Sequence, residues 1–155
     1  MQQNILEGDD DANELRSGLI LPNGTMLLAN AHKSDSRIAL YSNCDANGKR
    51  QYIDDWSADH LAHPYGIVGG LNAASGENVY WVTNQDTYDI VQFNQFGVFQ
   101  RQVKAFSGGD ELRSLAYDTE TNVLFIADED ANAVLAYDTR IGAFSECYLN
   151  NWVMC

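Results

Sequence analysis

Basic charge is what this sequence has least of. Nine Lys and Arg stand against 22 Asp and Glu, a formal net charge of −13, and the nine are scattered without forming a stripe. Affinity for a phosphate backbone comes from clustered cations, so nucleic acid is excluded as a partner. The acidic balance fits a solvated surface kept soluble by its charge. No apolar run is long enough to cross a membrane as a helix, so no membrane insertion is expected. The start, Met1 to Asp11, has neither the cationic nor the apolar region of a signal peptide, and the compartment stays undetermined. Cys44, Cys147 and Cys155 form no Cys-x-x-Cys pair and have no histidine at metal-ligand spacing. One disulfide with a leftover thiol, or three free thiols, both satisfy that pattern. No Ser sits in a Gly-x-Ser-x-Gly elbow and no Cys in a reactive motif, so His32, His60 and His63 have no nucleophile to serve. Asp128-Glu129-Asp130 lacks the spacing and the glycine of an EF-hand loop.

What is present is a repeated pattern of short apolar runs. Between Leu112 and Asp138 lie Leu115-Ala116-Tyr117, Val123 to Ala127 and Ala133 to Tyr137, separated by Asp, Asn and Thr. Runs of this length and composition read as strands joined by hairpins, and they leave no room for a crossover helix. Glu111-Leu112-Arg113-Ser114 recurs as Glu14-Leu15-Arg16-Ser17. Thr83-Asn84-Gln85-Asp86 aligns with Ala127-Asp128-Glu129-Asp130 and with Ala29-Asn30-Ala31-His32. The step is roughly 44 to 54 residues with four strands per unit, which is the signature of a propeller blade.

The expected fold is therefore all-β, with β-propeller blades of four antiparallel strands, about three of them from a six- or seven-bladed ring. The whole chain, 1–155, is expected to be a partial propeller. Residues 1–6 form the outer strand of a preceding blade, and the blades span 14–56, 63–106 and 111–150. Pro22-Asn23-Gly24 reads as a tight turn rather than a glycosylation acceptor. The apolar tail ending in Trp152 is expected to pack under a following blade. Trp56, Tyr80, Trp81, Phe93 and Phe125 fall on strands and should fill the spaces between blades. Three blades cannot close a ring, so the missing ones are expected from a longer parent chain or from self-association.

These residues resemble a known group, the NHL and YVTN type β-propeller repeats. His63-Pro64-Tyr65-Gly66-Ile67-Val68 looks like the strand-opening His-Pro-x-Gly-Ile-Ala, and Tyr80-Trp81-Val82-Thr83-Asn84 looks like a Tyr-Val-Thr-Asn core. Leu124 to Asp128 followed by Asn132-Ala133-Val134 is similar to Leu-Tyr-Val-Ala-Asp-x-x-Asn-x-Arg-Val. The resemblance implies a ring usually of six blades, sometimes seven, that binds proteins, RNA or small ligands. RNA binding in such domains uses a basic face, which this chain lacks. Related six-bladed folds include calcium-dependent lactonases.

Ligands of propellers usually bind where loops of successive blades meet over the channel. That face should collect Arg16, His63, Tyr65 and Arg113 near the axis, and Asn84, Asp86, Asp128 and Asp130 farther out. Three readings of this set compete. The arginines neutralise Glu111, Asp128 and their equivalents while Asn30, Asn84 and Asp128 cap loops. Alternatively, Arg16, Arg113 and His63 hold an anionic group beside Tyr65. The third reading is a lactonase-like hydrolase of the SMP-30/gluconolactonase type, in which Asn84, Asp86, Asp128 and Asp130 hold Ca2+ against a lactone carbonyl. Against the third, the strand-opening positions where such enzymes keep ligands are Tyr65-Gly66 and Arg113-Ser114. The favoured expectation is a binding module for a protein or small-molecule ligand rather than an enzyme.

Overall fold

The computed structural model describes residues 5–31, 34–105 and 111–147. Among them every regular element is a strand, and the thirteen strands form three sheets. The first sheet contains β2 (Leu15–Ile20), β3 (Met26–Asn30), β4 (Arg37–Tyr41) and β5 (Arg50–Ser57), paired in that order, with β1 (Leu6–Glu7) outside β5. In the second, β6 (Pro64–Leu71), β7 (Asn78–Asn84), β8 (Asp89–Asn94) and β9 (Phe99–Lys104) form an up-and-down meander. The third repeats it with β10 (Leu112–Asp118), β11 (Val123–Asp128), β12 (Ala133–Asp138) and β13 (Ala143–Cys147). These are three blades of a β-propeller. Their innermost strands lie side by side, with β6 between β2 and β10.

Alternation along each strand explains why the sheets stack. Leu27, Ala29 and Ile38 of the first blade point at Ile67, Tyr80, Val82, Val91 and Phe93 of the second, and Trp56 packs edge-on against Tyr80 and Phe93 at 5.3 and 5.7 Å between ring centroids. The opposite face of the second blade presents Val79, Trp81 and Ile90 to Leu112, Leu124, Ile126 and Tyr137 of the third. Both blade interfaces are therefore apolar cores. Phe125 lies on the flank of the third blade that no described blade covers. It alternates with Leu124 and Ile126 onto the other flank of its sheet and is half-buried.

Of the segment 1–6, residues 1–4 lie outside the described residues; Leu6, with Glu7, pairs in parallel with Arg50 and Gln51 and so extends the first blade's own sheet. The cause is the nearby Asp9. Its side chain is only 5% exposed and accepts a 2.5 Å hydrogen bond from Arg37 and a 2.7 Å bond from the Tyr41 hydroxyl, which pins the segment against the first blade. Leu6, Met26 and Tyr52 then cover Leu28, Ala39 and Tyr41. At Pro22-Asn23-Gly24 the expected turn forms, with the Asn23 Oδ1 accepting from the Thr25 N–H and hydroxyl and with Gly24 at φ +87°. The tail from 148 onwards, with Trp152 and Cys155, lies outside the described residues, as does His32; Cys44 is a free, exposed thiol.

Candidate functional site

Each inner strand carries the same irregularity at the same place. Register slips between Leu15 and Gly18 in β2, between Pro64 and Ile67 in β6, and between Leu112 and Leu115 in β10. Arg16, Tyr65 and Arg113 sit inside these three bulges. A bulge re-aims the side chain it carries, so three equivalent positions turn their side chains to one rim. The Arg113 guanidinium carbon lies 4.8 Å from the centroid of the Tyr65 ring, and that of Arg16 lies 5.6 Å from it. All three blades thus meet at one phenol ring.

Around the ring the charges are paired. Arg16 reaches Glu14 at 3.4 Å, while Arg113 donates to Glu111 and, at 2.5 Å, to Glu129. His63 stands between two carboxylates, Nε2 at 3.2 Å from Glu14 and Nδ1 at 3.1 Å from Asp86. Both contacts are hydrogen bonds only when each ring nitrogen carries a proton. Burial pulls the Arg113 pKa down, but the Glu129 hydrogen bond and the charges of Glu111 and Glu129 outweigh it and the net movement is upward. Gln85 extends the network by donating to Glu111 at 3.2 Å. Four carboxylates face two arginines and one histidine, so the rim is net acidic. That is unfavourable for the anion-holding arrangement, because its cations already have partners.

The two binding sets fare differently. Arg16, His63, Tyr65 and Arg113 are brought together. The oxygen set Asn84, Asp86, Asp128 and Asp130 is not: among the described residues no group of three or more His, Cys, Asp and Glu is gathered to hold a metal ion. Asn84 is fully buried and its amide is used up, with Oδ1 accepting from the Ala62 N–H and Nδ2 donating to the His60 carbonyl and to Asp89. Asn30 likewise accepts from the Glu14 N–H ahead of its inner strand, while Asp128 accepts from the Ala131 N–H within its own loop. These three residues pair with Leu15, Pro64 and Leu112 in the ladders, so they cap equivalent blade corners. The residues present do not fit a calcium ion. Capping was expected from the sequence; the pairing of Arg113 with Asp128 was not found, since the neighbouring Glu129 takes that place.

One connection beneath the rim escaped the sequence. Thr83, fully buried on β7, accepts from the Gly66 N–H at 2.8 Å and donates to the Arg113 carbonyl at 2.6 Å, bridging the second and third blades under Tyr65. The close approach explains Gly66: a Cβ there would stand 2.8 Å from the Arg113 carbonyl oxygen. Thr83→Val keeps the shape and strands both backbone groups, so it is expected to lower stability by about 2 kcal/mol, while Thr83→Ser stays within about 1 kcal/mol. Urea unfolding midpoints measure both.

No protein-family model matches this sequence, and no curated protein matches it. Solved structures do share its fold. A virginiamycin B lyase from Staphylococcus aureus superposes with a TM-score of 0.63 at 11% identity, over 92% of this chain and 44% of that one. A protein of unknown function from Bacteroides caccae gives 0.57 at 16% identity, covering 88% and 47%. One from Lactobacillus plantarum gives 0.53 at 18% identity, covering 81% and 38%. The chain spans less than half the length of each of these solved proteins, and at such identities the likeness establishes that it has a β-propeller architecture.

Proposed function

We propose that this chain is a β-propeller binding module of the NHL/YVTN type, whose rim around Tyr65 engages a protein or small-molecule partner through ammonium or guanidinium groups. The observation that carries the reading is the meeting of equivalent side chains from three blades at one ring, with carboxylates in excess over cations. A cationic partner would replace an internal arginine at a carboxylate instead of facing an uncompensated charge. The His63-Pro64-Tyr65-Gly66-Ile67 opening supports the repeat type, since its variable position is the one that reaches the rim. The rest of the ring comes from further chain or from a second copy. No observation favours the calcium-dependent lactonase-like alternative.

Titration with a tetra-arginine peptide and a tetra-glutamate peptide, followed by calorimetry at low salt, tests this. The arginine peptide is expected to bind, and Glu14→Gln with Glu129→Gln to weaken it by about tenfold. Asp54→Asn with Glu77→Gln removes the same charge on exposed strands and turns elsewhere and should leave affinity within about twofold. Equal loss in the two double variants would mean diffuse attraction to an acidic surface and would overturn the rim assignment.

A further inference from the structure

The other face of the molecule carries a cleft of a different character. It lies between the second and third blades at the ends of their strands farthest from Tyr65, has a volume of about 350 Å³, and is lined by Asn72, Gln92, Gln100, Arg101, Thr139 and Arg140 above the aliphatic Leu71. In a chain with 22 acidic residues, no carboxylate lines it. Arg101 is its centre. The guanidinium carbon sits 4.9 Å from the Trp81 ring centroid and 5.8 Å from that of Tyr137, and Trp81 and Tyr137 are 0% and 1% exposed. Its Nε donates to Gln92 Oε1 at 2.9 Å and its Nη2 to the Thr139 carbonyl at 3.5 Å. Gln92 itself is 5% exposed. Arg101 makes no ion pair among the described residues, and its Nη1 group is neither buried nor bonded.

We propose that this cleft is a second binding site, one that takes a small monoanionic carboxylate on the Arg101 fork. The argument begins with charge. Arg140 also lines the cleft but is claimed by Asp138, with contacts of 3.0 Å from Nε and 2.6 Å from Nη2. Those hydrogen bonds hold the Asp138 carboxyl down at about 2, so the pair stays closed through the neutral range. One uncompensated positive charge is left, which matches one negative charge. Geometry gives the rest. The guanidinium is fixed in orientation by an aromatic floor and two carbonyl-type acceptors, so its free edge is preorganised for a planar two-oxygen acceptor. Asn72 supplies a carboxamide N–H group at the wall, and Leu71 offers an apolar surface for the ligand's body.

Benzoate, phenylphosphonate and benzamide are the probes, and the Arg101 Nε–H resonance is the readout. Benzoate is expected to shift that signal to saturation in the millimolar range, benzamide to leave it in place, and phenylphosphonate, as a dianion, to bind less tightly than benzoate. Arg101→Lys keeps the charge and loses the fork, and should weaken benzoate by about tenfold as judged from the backbone amides of residues 72 and 140. Asp138→Asn, which keeps an acceptor for the Arg140 N–H while releasing the Arg140 guanidinium from its ion pair, should tighten benzoate and raise phenylphosphonate above it. Saturation by benzamide, unchanged benzoate affinity in Arg101→Lys, or no effect of Asp138→Asn on phenylphosphonate would each overturn the assignment. Failure here leaves the Tyr65 rim untouched, because the two sites share no residue.

Discussion

Arg37→Met is expected to lower the unfolding free energy by about 3–5 kcal/mol, the loss associated with breaking a buried ion pair from one side. Arg37 is 4% exposed and faces three carboxylates: Asp9 at 2.5 Å, Asp35 in direct contact, and Asp55, whose Oδ1 lies 2.9 Å from Nε within ion-pair range but out of line for a hydrogen bond. Asp35 and Asp55 reach solvent, at 37% and 43% exposure, and can rehydrate. Asp9 cannot. With Arg37 gone it keeps the Tyr41 hydroxyl at 2.7 Å and the Asp11 N–H at 3.3 Å, neither of which carries a compensating charge; burial and then that carboxylate raise the tyrosine's pKa, so it stays a donor. The companion change decides the mechanism. Asp9→Leu in the Arg37→Met background removes the stranded charge and should recover more than half of the loss, whereas additive losses would mean that the residues matter separately. Thermal and urea unfolding of the four proteins give the cycle.

Trp81→Ala is the second large effect, at about 3–5 kcal/mol for emptying a fully buried indole site. Trp81 is the largest fully buried side chain among the described residues, packs edge-on against Tyr137 at 5.8 Å between centroids, and carries Arg101 on its ring. Its Nε1 has no hydrogen-bond partner among the described residues. Trp81→Phe therefore removes an unpaired polar atom together with some ring volume, and should cost only about 1–2 kcal/mol. A loss in Trp81→Phe as large as in Trp81→Ala would show that the indole N–H is satisfied after all. Both changes loosen the floor under Arg101, so benzoate binding in the cleft should weaken in proportion, while binding at the Tyr65 rim is unaffected.

Period-two alternation and Asn-Gly turn chemistry made the strands legible, because a half-buried strand cannot hide that pattern. The recurrence of Glu-Leu-Arg-Ser marked Arg16 and Arg113 as equivalent before any geometry was known, and His63-Pro64-Tyr65 filled the corresponding place in the middle blade. What the sequence could not deliver was the partner of each charge. Glu129 rather than Asp128 meets Arg113 because Asp128 turns inward to cap its own loop, a choice made by the β11–β12 corner and not by residue type. The same corner chemistry consumes Asn84, whose amide caps the second blade's corner. Long-range pairs such as Asp9 with Arg37 and Arg101 over Trp81 leave no local periodicity, so nothing in the sequence pointed to them. Leu6-Glu7 could be recognised as a strand but not assigned to a sheet, since parallel pairing with β5 depends on where Asp9 is anchored.

The convergence of three blades on one ring is open to direct measurement. In a sample with Tyr65 and the arginines isotopically labelled, the side-chain δ-methylene protons of both Arg16 and Arg113 should show ring-current shifts and cross-relaxation to the Tyr65 ring. Tyr65→Leu should abolish both shifts together. If only one arginine, or neither, reports contact with that ring, the inner strands do not share a rim and the proposed binding surface does not exist.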